Sequence, residues 1–346
     1  MPVLVSKEVL YMAKITILGA GSWGTALAFL LNNNGHQVTI WSCIEDEVVM
    51  LREKREHRDK LPGVILAPEI EITSDLEGCL KDPDVVILAV PSPFTRSTSR
   101  QAGAYIRDGQ KIVNVAKGIE ENTLYTLSEI IEQEIPQANV SVLSGPSHAE
   151  EVGKSIPTTC VVSSADRETA EYLQGIFMSP VFRVYTTPDM LGVELGGSLK
   201  NVIALAAGAA DGLGYGDNTK AALITRGVAE ISRLGTSMGA RPETFYGLSG
   251  MGDLIVTCAS VHSRNWKAGY LVGKGASMDE AMKEVKMVVE GVYSAKAAAQ
   301  LAEKYHVEMP IISEINKVLF EGKPAADAVR DLMIRDKKVE IPMLPW

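Results

Sequence analysis

The first residue in this chain whose surroundings call for chemistry is a lysine in the middle of an apolar helix. Residues 193–210 read VELGGSLKNVIALAAGAA, small or apolar nearly all round, so the helix they form should be buried. Lys200 sits near its centre, with Gly196, Gly197, Ile203 and Ala204 at helical spacing. An ammonium held against such a face is destabilised and its pKa falls, which suits a general acid or base working near neutral pH. Spacing leaves two plainer readings open: a lysine that snorkels to solvent, or an ion pair with Glu194. Gly196 and Gly197 tilt the balance toward chemistry, because glycines beside a polar group suggest close approach of a ligand or another backbone.

A second cluster lies in residues 248–266, LSGMGDLIVTCASVHSRNW. Asp253 leaves a glycine-rich turn, and an apolar run then leads to Ser263-Arg264-Asn265. The planar guanidinium of Arg264 suits a phosphate, with Ser263 and Asn265 as neutral donors. In isolation the same triplet reads as a surface helix cap. Lys117, in Ala116-Lys117-Gly118, and the run Ser144-Gly145-Pro146-Ser147 each follow a strand, at the edge where α/β folds bind ligands. Each alone is equally a simple turn. His148 and His262 are not assigned to catalysis, since most loop histidines are solvated.

Gly19-Ala20-Gly21-Ser22-Trp23-Gly24 is a GxGxxG set between a strand and a helix. Its glycines permit a tight turn, close approach of backbone to a pyrophosphate, and tight helix–strand packing; the helix N-terminus adds N–H groups and positive dipole. Opening the first βαβ unit, it points to dinucleotide binding. Coenzyme choice stays open. An acid about 20 residues on would bind the ribose hydroxyls and a base would favour a 2′-phosphate, but Ser42 and Cys43 are neither, and Glu45 and Asp46 come late.

The elements that must position these groups change character along the chain. Strands are expected at 14–18, 36–41, 84–90, 111–116, 140–143 and 159–162, with a first helix at 25–33. Alternation with helices predicts a doubly wound α/β sheet of the Rossmann type. From about Leu191 helical patterns dominate, at 193–210, 221–238, 278–286, 294–304 and 325–332. The expected division is a dinucleotide-binding domain over 1–190, with residues 1–13 a loosely held extension, and an all-α domain over 191–346. Met12 is an alternative start.

Composition narrows the function classes. With 46% hydrophobic and 22% charged residues and a formal charge of −9, the chain is an ordinary globular protein with no basic run to bind nucleic acid. Four dispersed cysteines form no CxxC, so reduced thiols and no metal site are expected. Lys7 and Glu8 spoil any signal peptide, and the apolar stretches at 85–94 and 202–210 fall short of the ~18 residues of a membrane span. No membrane insertion is expected.

Together these segments resemble the NAD(P)-dependent glycerol-3-phosphate dehydrogenase family in its bacterial form. The matching pieces are GAGSWGTALA (19–28), AVPS (89–92), AKGIE (116–120), SGPSHAEEV (144–152), LGGSLKNVIALAAG (195–208), LSGMGDLIVTC (248–258), SRN (263–265) and VVEGV (288–292). They occur in family order over roughly residues 15–330.

The resemblance implies reversible reduction of dihydroxyacetone phosphate to sn-glycerol 3-phosphate with NAD or NADP, supplying glycerophospholipid synthesis in the cytoplasm, by a homodimer. By position Lys200 matches the catalytic lysine, and Lys117, Gly145, Ser147, Asp253, Ser263, Arg264 and Asn265 match substrate-binding positions. Gly19, Gly21, Ser22, Trp23 and Gly24 would hold the cofactor, with further contacts from Lys117, Ala149, Arg264, Val288 and Glu290. His148 and Glu150 stand where the family more often has Phe and Lys, and Cys43 where many members carry a basic or polar residue. Rival readings are a two-domain dehydrogenase of the 3-hydroxyacyl-CoA or 6-phosphogluconate type, opposed by the SGPS, LSGMGDL and SRN segments, and a non-catalytic dinucleotide sensor. A sensor has no reason to keep Lys200, Asp253 and Arg264 together.

Overall fold

The computed structural model describes residues 12–340; residues 1–11, most of the expected extension, lie outside the described residues. Eight strands form one sheet: β1 (Lys14–Leu18), β2 (Gln37–Trp41), β3 (Glu71–Thr73), β4 (Val85–Leu88), β5 (Lys111–Asn114), β6 (Asn139–Ser144), β7 (Thr158–Ser164) and β8 (Phe182–Thr187). Their order is β3-β2-β1-β4-β5-β6-β7-β8. The helices between them are α1 (Ser22–Asn33), α2 (Glu45–Lys54), α3 (Leu76–Cys79), α4 (Thr95–Gly103), α5 (Leu127–Glu134), α6 (Ala149–Val152) and α7 (Arg167–Phe177).

Strands β1 to β6 are parallel, so the sheet is doubly wound about a switch point between β1 and β4. All four residues of β4 are buried, as expected of a central strand covered by helices on both faces. β7 pairs antiparallel with β6, and β8 follows β7 in parallel. Only the four-residue α6 separates β6 from β7, too little helix for the crossover that a parallel return needs.

The sequence does not announce β3 or β8. β3 has three residues, and β8 alternates buried and exposed positions at the sheet edge, leaving no continuous apolar run. Helix α1 starts at Ser22 rather than 25 because Gly21, inside the glycine turn, is already its N-cap.

After Thr187 the described residues contain no further strand. They form α8 (Met190–Gly212), α9 (Asp217–Ser237), α10 (Pro242–Phe245), α11 (Asp253–Ala259), α12 (Arg264–Gly273), α13 (Met278–Val285), α14 (Glu290–Lys304), α15 (Pro310–Phe320) and α16 (Ala325–Met333). Helix α8 extends well beyond the apolar run at 202–210. By length and apolarity alone it would cross a membrane, yet 83% of its apolar window is buried inside the fold. Helices α9, α11, α12 and α14 surround it.

The tightest of these contacts is between α8 and α12. Gly208 and Gly212 on α8 face Gly269 and Gly273 on α12, each pair four residues apart. A Cβ on any of the four would run into backbone of the other helix: the Trp266 and Tyr270 carbonyls, or those of Leu205 and Ala209. Without those side chains the two backbones touch, which fixes the start of α12, and so Arg264, relative to Lys200. Gly269→Val should therefore force the helices apart and destabilise the protein by about 2 kcal/mol or more. A urea midpoint unchanged from wild type would show that the backbones do not meet there.

Candidate active site

The site is built at the C-terminal edge of the sheet. Lys117 lies three residues beyond β5 and Gly145 directly follows β6, and these strands are neighbours, so the two arrive side by side. The Lys117 ammonium donates to the Gly145 carbonyl at 3.1 Å and to one Asp253 carboxylate oxygen at 2.6 Å. The other Asp253 oxygen accepts from Lys200, which also donates to the Thr257 hydroxyl at 2.6 Å. Thr257 in turn donates to the Asp253 carbonyl, one helical turn back, at 2.6 Å. Lys200 is 6% exposed and Asp253 1% exposed, so the snorkelling reading fails.

The expected alternative partner, Glu194, is engaged elsewhere. It accepts from the Ser128 backbone N–H at 2.9 Å and from the Ser128 hydroxyl, fastening α8 to the start of α5. Gly196 and Gly197 serve close backbone and side-chain packing: a Cβ at Gly196 would lie 2.8 Å from the Ser249 carbonyl, and one at Gly197 the same distance from the Ser144 hydroxyl. The strand end and the Leu248–Gly252 turn thereby reach α8.

One carboxylate is shared between two ammoniums, and this sets the electrostatics. Burial pushes the Lys200 pKa down to about 8; the Asp253 charge opposes the fall and Lys117 adds to it. Burial is thus the largest influence, ahead of either neighbour. Desolvation and the nearby Lys200 charge also lower the pKa of His148. The buried His148 Nε2 has no hydrogen-bond partner, and its ring lies 6.1 Å from that of His262.

Arg264 begins α12 beneath the cap expected of its triplet: the Ser263 hydroxyl accepts from the Trp266 N–H at 3.1 Å. Asn265 donates to Asn201 at 3.0 Å and accepts from the Gly291 N–H at 2.9 Å, so its side chain braces α8, α12 and α14 together. Arg264 makes no hydrogen bond or ion pair among the described residues. Glu290, whose pKa is raised by burial and held back by hydrogen bonds from Ser92 and by the Arg264 charge, accepts from the Ser92 N–H at 3.2 Å and from its hydroxyl. Ser147 donates to the Gly145 carbonyl at 2.9 Å.

The glycine turn fits a dinucleotide. Gly19 has φ +124°, and a Cβ there would come within 2.8 Å of Ala89 and Val90 backbone. A Cβ at Gly24 would strike the Gly19 carbonyl, whereas one at Gly21 would meet only open space. That is a cradle closed on the protein side and open on the ligand side, with Ser22 and Trp23 at the start of α1. Ala149 is buried in the core beneath the sheet, so only its backbone is available to a cofactor, and Val288 is half-buried in the turn before α14.

Comparison with known proteins shows the family to which this chain belongs. Residues 14–170 match the profile described as NAD-dependent glycerol-3-phosphate dehydrogenase N-terminus, and residues 189–330 the corresponding C-terminus. The chain is 64% identical over 335 residues to glycerol-3-phosphate dehydrogenase (NAD(P)+) of Agathobacter rectalis, covering 97% of this chain and all of that one. It is 53% identical to the Bacillus subtilis protein of the same name, over 95% of this chain and 96% of that one. The crystal structure of glycerol-3-phosphate dehydrogenase from Coxiella burnetii superposes with a TM-score of 0.90 at 35% identity, covering 94% of this chain and 99% of that one. The chain belongs to the NAD-dependent glycerol-3-phosphate dehydrogenase family. Membership sets aside the 3-hydroxyacyl-CoA, 6-phosphogluconate and sensor readings.

Three partners in this candidate site were not singled out from the sequence: Thr257 on Lys200, Ser92 on Glu290 and Asn201 on Asn265. Thr257 carried a local signal, being four residues from Asp253 on the same helix face. The shared carboxylate makes a signed prediction for Lys200. Asp253→Asn removes an influence that raises its pKa and should move it below about 8, whereas Lys117→Met removes one that lowers it and should move it above. Nitrogen-15 NMR of the Lys200 side chain against pH measures both, and shifts of the same sign would refute the arrangement.

Proposed function

We propose that Lys200 is the proton donor as this enzyme reduces dihydroxyacetone phosphate to sn-glycerol 3-phosphate, and the base in the reverse direction. The observation that carries this reading is a buried ammonium with a pKa near 8 that shares one carboxylate with a second cation. The reduced nicotinamide, when bound in the Gly19–Gly24 cradle, supplies the hydride. As the substrate carbonyl oxygen gains negative charge, Lys200 passes it a proton. Asp253 and Thr257 keep the Lys200 ammonium in place, and Lys117 keeps the carboxylate from neutralising it fully. Arg264 holds the substrate phosphate away from the reacting carbon and so fixes orientation.

Gly145 and Ser147 shape the loop beside Lys117, while Ser263 and Asn265 act chiefly by setting the start of α12. Ala149, Val288 and Glu290 line the cofactor side. This reading divides the labour near residue 190, with the sheet domain holding the dinucleotide and the helical domain the substrate. A homodimer in the cytoplasm, feeding glycerophospholipid synthesis, belongs to the same proposal through the family likeness.

Reduction needs the protonated lysine and oxidation the neutral one. Ketone reduction should therefore fall as pH rises through about 8, while glycerol 3-phosphate oxidation rises across the same window. Lys200→Ala should lose about 10²–10⁴-fold in kcat and retain cofactor binding by fluorescence titration; near-normal turnover would sink the assignment. Arg264→Ala should raise KM for dihydroxyacetone phosphate about tenfold or more and leave KM for unphosphorylated dihydroxyacetone nearly unmoved. Equal effects on both ketones would remove Arg264 from the phosphate.

A further inference from the structure

The sequence leaves coenzyme choice open because neither Ser42 nor Cys43, directly after β2, is an acid or a base. The fold supplies what the strand end lacks. Ser42 donates from its hydroxyl to a Glu47 carboxylate oxygen at 2.9 Å and accepts from the Ile44 N–H at 3.2 Å. The other Glu47 oxygen accepts from the Lys60 ammonium, and His57 Nε2 lies 3.6 Å from it. An acid five residues late in sequence is thus brought back to the strand end, together with a cation from the loop after α2.

In a Rossmann-type fold the adenosine ribose of a dinucleotide is bound near the end of the second strand, where this cluster lies. The Trp41 carbonyl, last in β2, accepts from the Gly19 N–H at 2.9 Å, so the strand end and the glycine cradle are joined directly. Glu47 is buried; desolvation alone would raise its pKa, but hydrogen bonds from His57, Lys60 and Ser42 hold it down at about 2. Lys60 is the member that reaches solvent, its side chain 32% exposed. The neighbouring bases Arg52 and Arg55 donate to backbone carbonyls of Ile72 and of Leu66, Ala67 and Ile70, which commits them to packing the loop before β3.

We propose that Lys60 reads the 2′ position of the adenosine ribose, with Glu47 as its resting partner. Facing a 2′-hydroxyl, Lys60 stays on Glu47 and the strand end presents the Ser42–Glu47 pair. Facing a 2′-phosphate, the ammonium turns from Glu47 to the phosphate oxygens, and the exchange of one anion for another lets a single pocket take both coenzymes. The inference rests on the dehydrogenase reading above, since it presumes a bound dinucleotide.

Dissociation constants of NADH and NADPH, measured on the full-length enzyme by calorimetry, test it without recourse to turnover. Lys60→Met should raise the ratio of the NADPH to the NADH constant about tenfold, and Lys60→Arg should restore it. Glu47→Gln, checked for folding by its melting curve, should lower the ratio by freeing the ammonium. A ratio within twofold of wild type in Lys60→Met would overturn the proposal. So would a ratio that answers instead to Glu45→Gln or Asp46→Asn, which would place the reading in the exposed first turn of α2. Failure of the wild-type enzyme to bind either coenzyme would instead strike at the dehydrogenase reading itself.

Discussion

Two ammoniums and one carboxylate, withdrawn from water together, make the constraint around which the rest of this molecule is arranged. Lys117 comes from the sheet half of the chain, while Lys200 and Asp253 come from the helical half. Neither half assembles the group alone. A lone buried lysine would lose its proton outright, and a lysine paired one-to-one with aspartate would hold it far into the alkaline range. Sharing the carboxylate places the group between those limits. Burial lowers the Lys200 pKa most, and the shared Asp253 charge offsets that fall only in part.

Such a group is costly to bury, and the surrounding packing offsets the cost by leaving little freedom to rearrange. Gly196 and Gly197 let the Leu248–Gly252 turn and the end of β6 reach α8, so Asp253 is delivered to Lys200 by backbone contact rather than by long side chains. The facing glycines of α8 and α12 do the same for Arg264. Glu194, fully buried, ties α8 to α5 and so to the sheet that carries Lys117. Both lysines bond the same carboxylate, so contacts that position Asp253 position the two ammoniums together.

Much of this was legible where the signal was local. A lysine inside an apolar helix is an anomaly visible within a few turns, and the GxGxxG announces its own strand–turn–helix. What joins the pieces was not local. Lys200 and Asp253 are 53 residues apart, and Ser92 and Glu290 are 198 apart, so no window of sequence contains either pair. Thr257 was hidden for another reason: inside the run DLIVTC a threonine passes for a β-branched core residue. The strands β3 and β8 escaped because one is too short and the other too exposed to leave an apolar pattern. Likewise Glu47 falls outside the spacing at which an acid after β2 is usually sought, since α2 turns it back toward the strand.

Arg264 shows how the charge of the pocket departs from that of the chain. The protein carries a formal charge of −9, yet among the described residues the Arg264 guanidinium has no hydrogen-bond or ion-pair partner. A carboxylate lies within its electrostatic reach, for Glu290 feels its charge, and the two would ordinarily close into an ion pair. Here Glu290 instead accepts from the N–H and hydroxyl of Ser92. A guanidinium cannot shed its proton, so this positive charge persists at any pH the enzyme works in. On the function proposed above, that guanidinium is the group to which a substrate phosphate would bind, and the contacts between α8 and α12 set its position relative to Lys200.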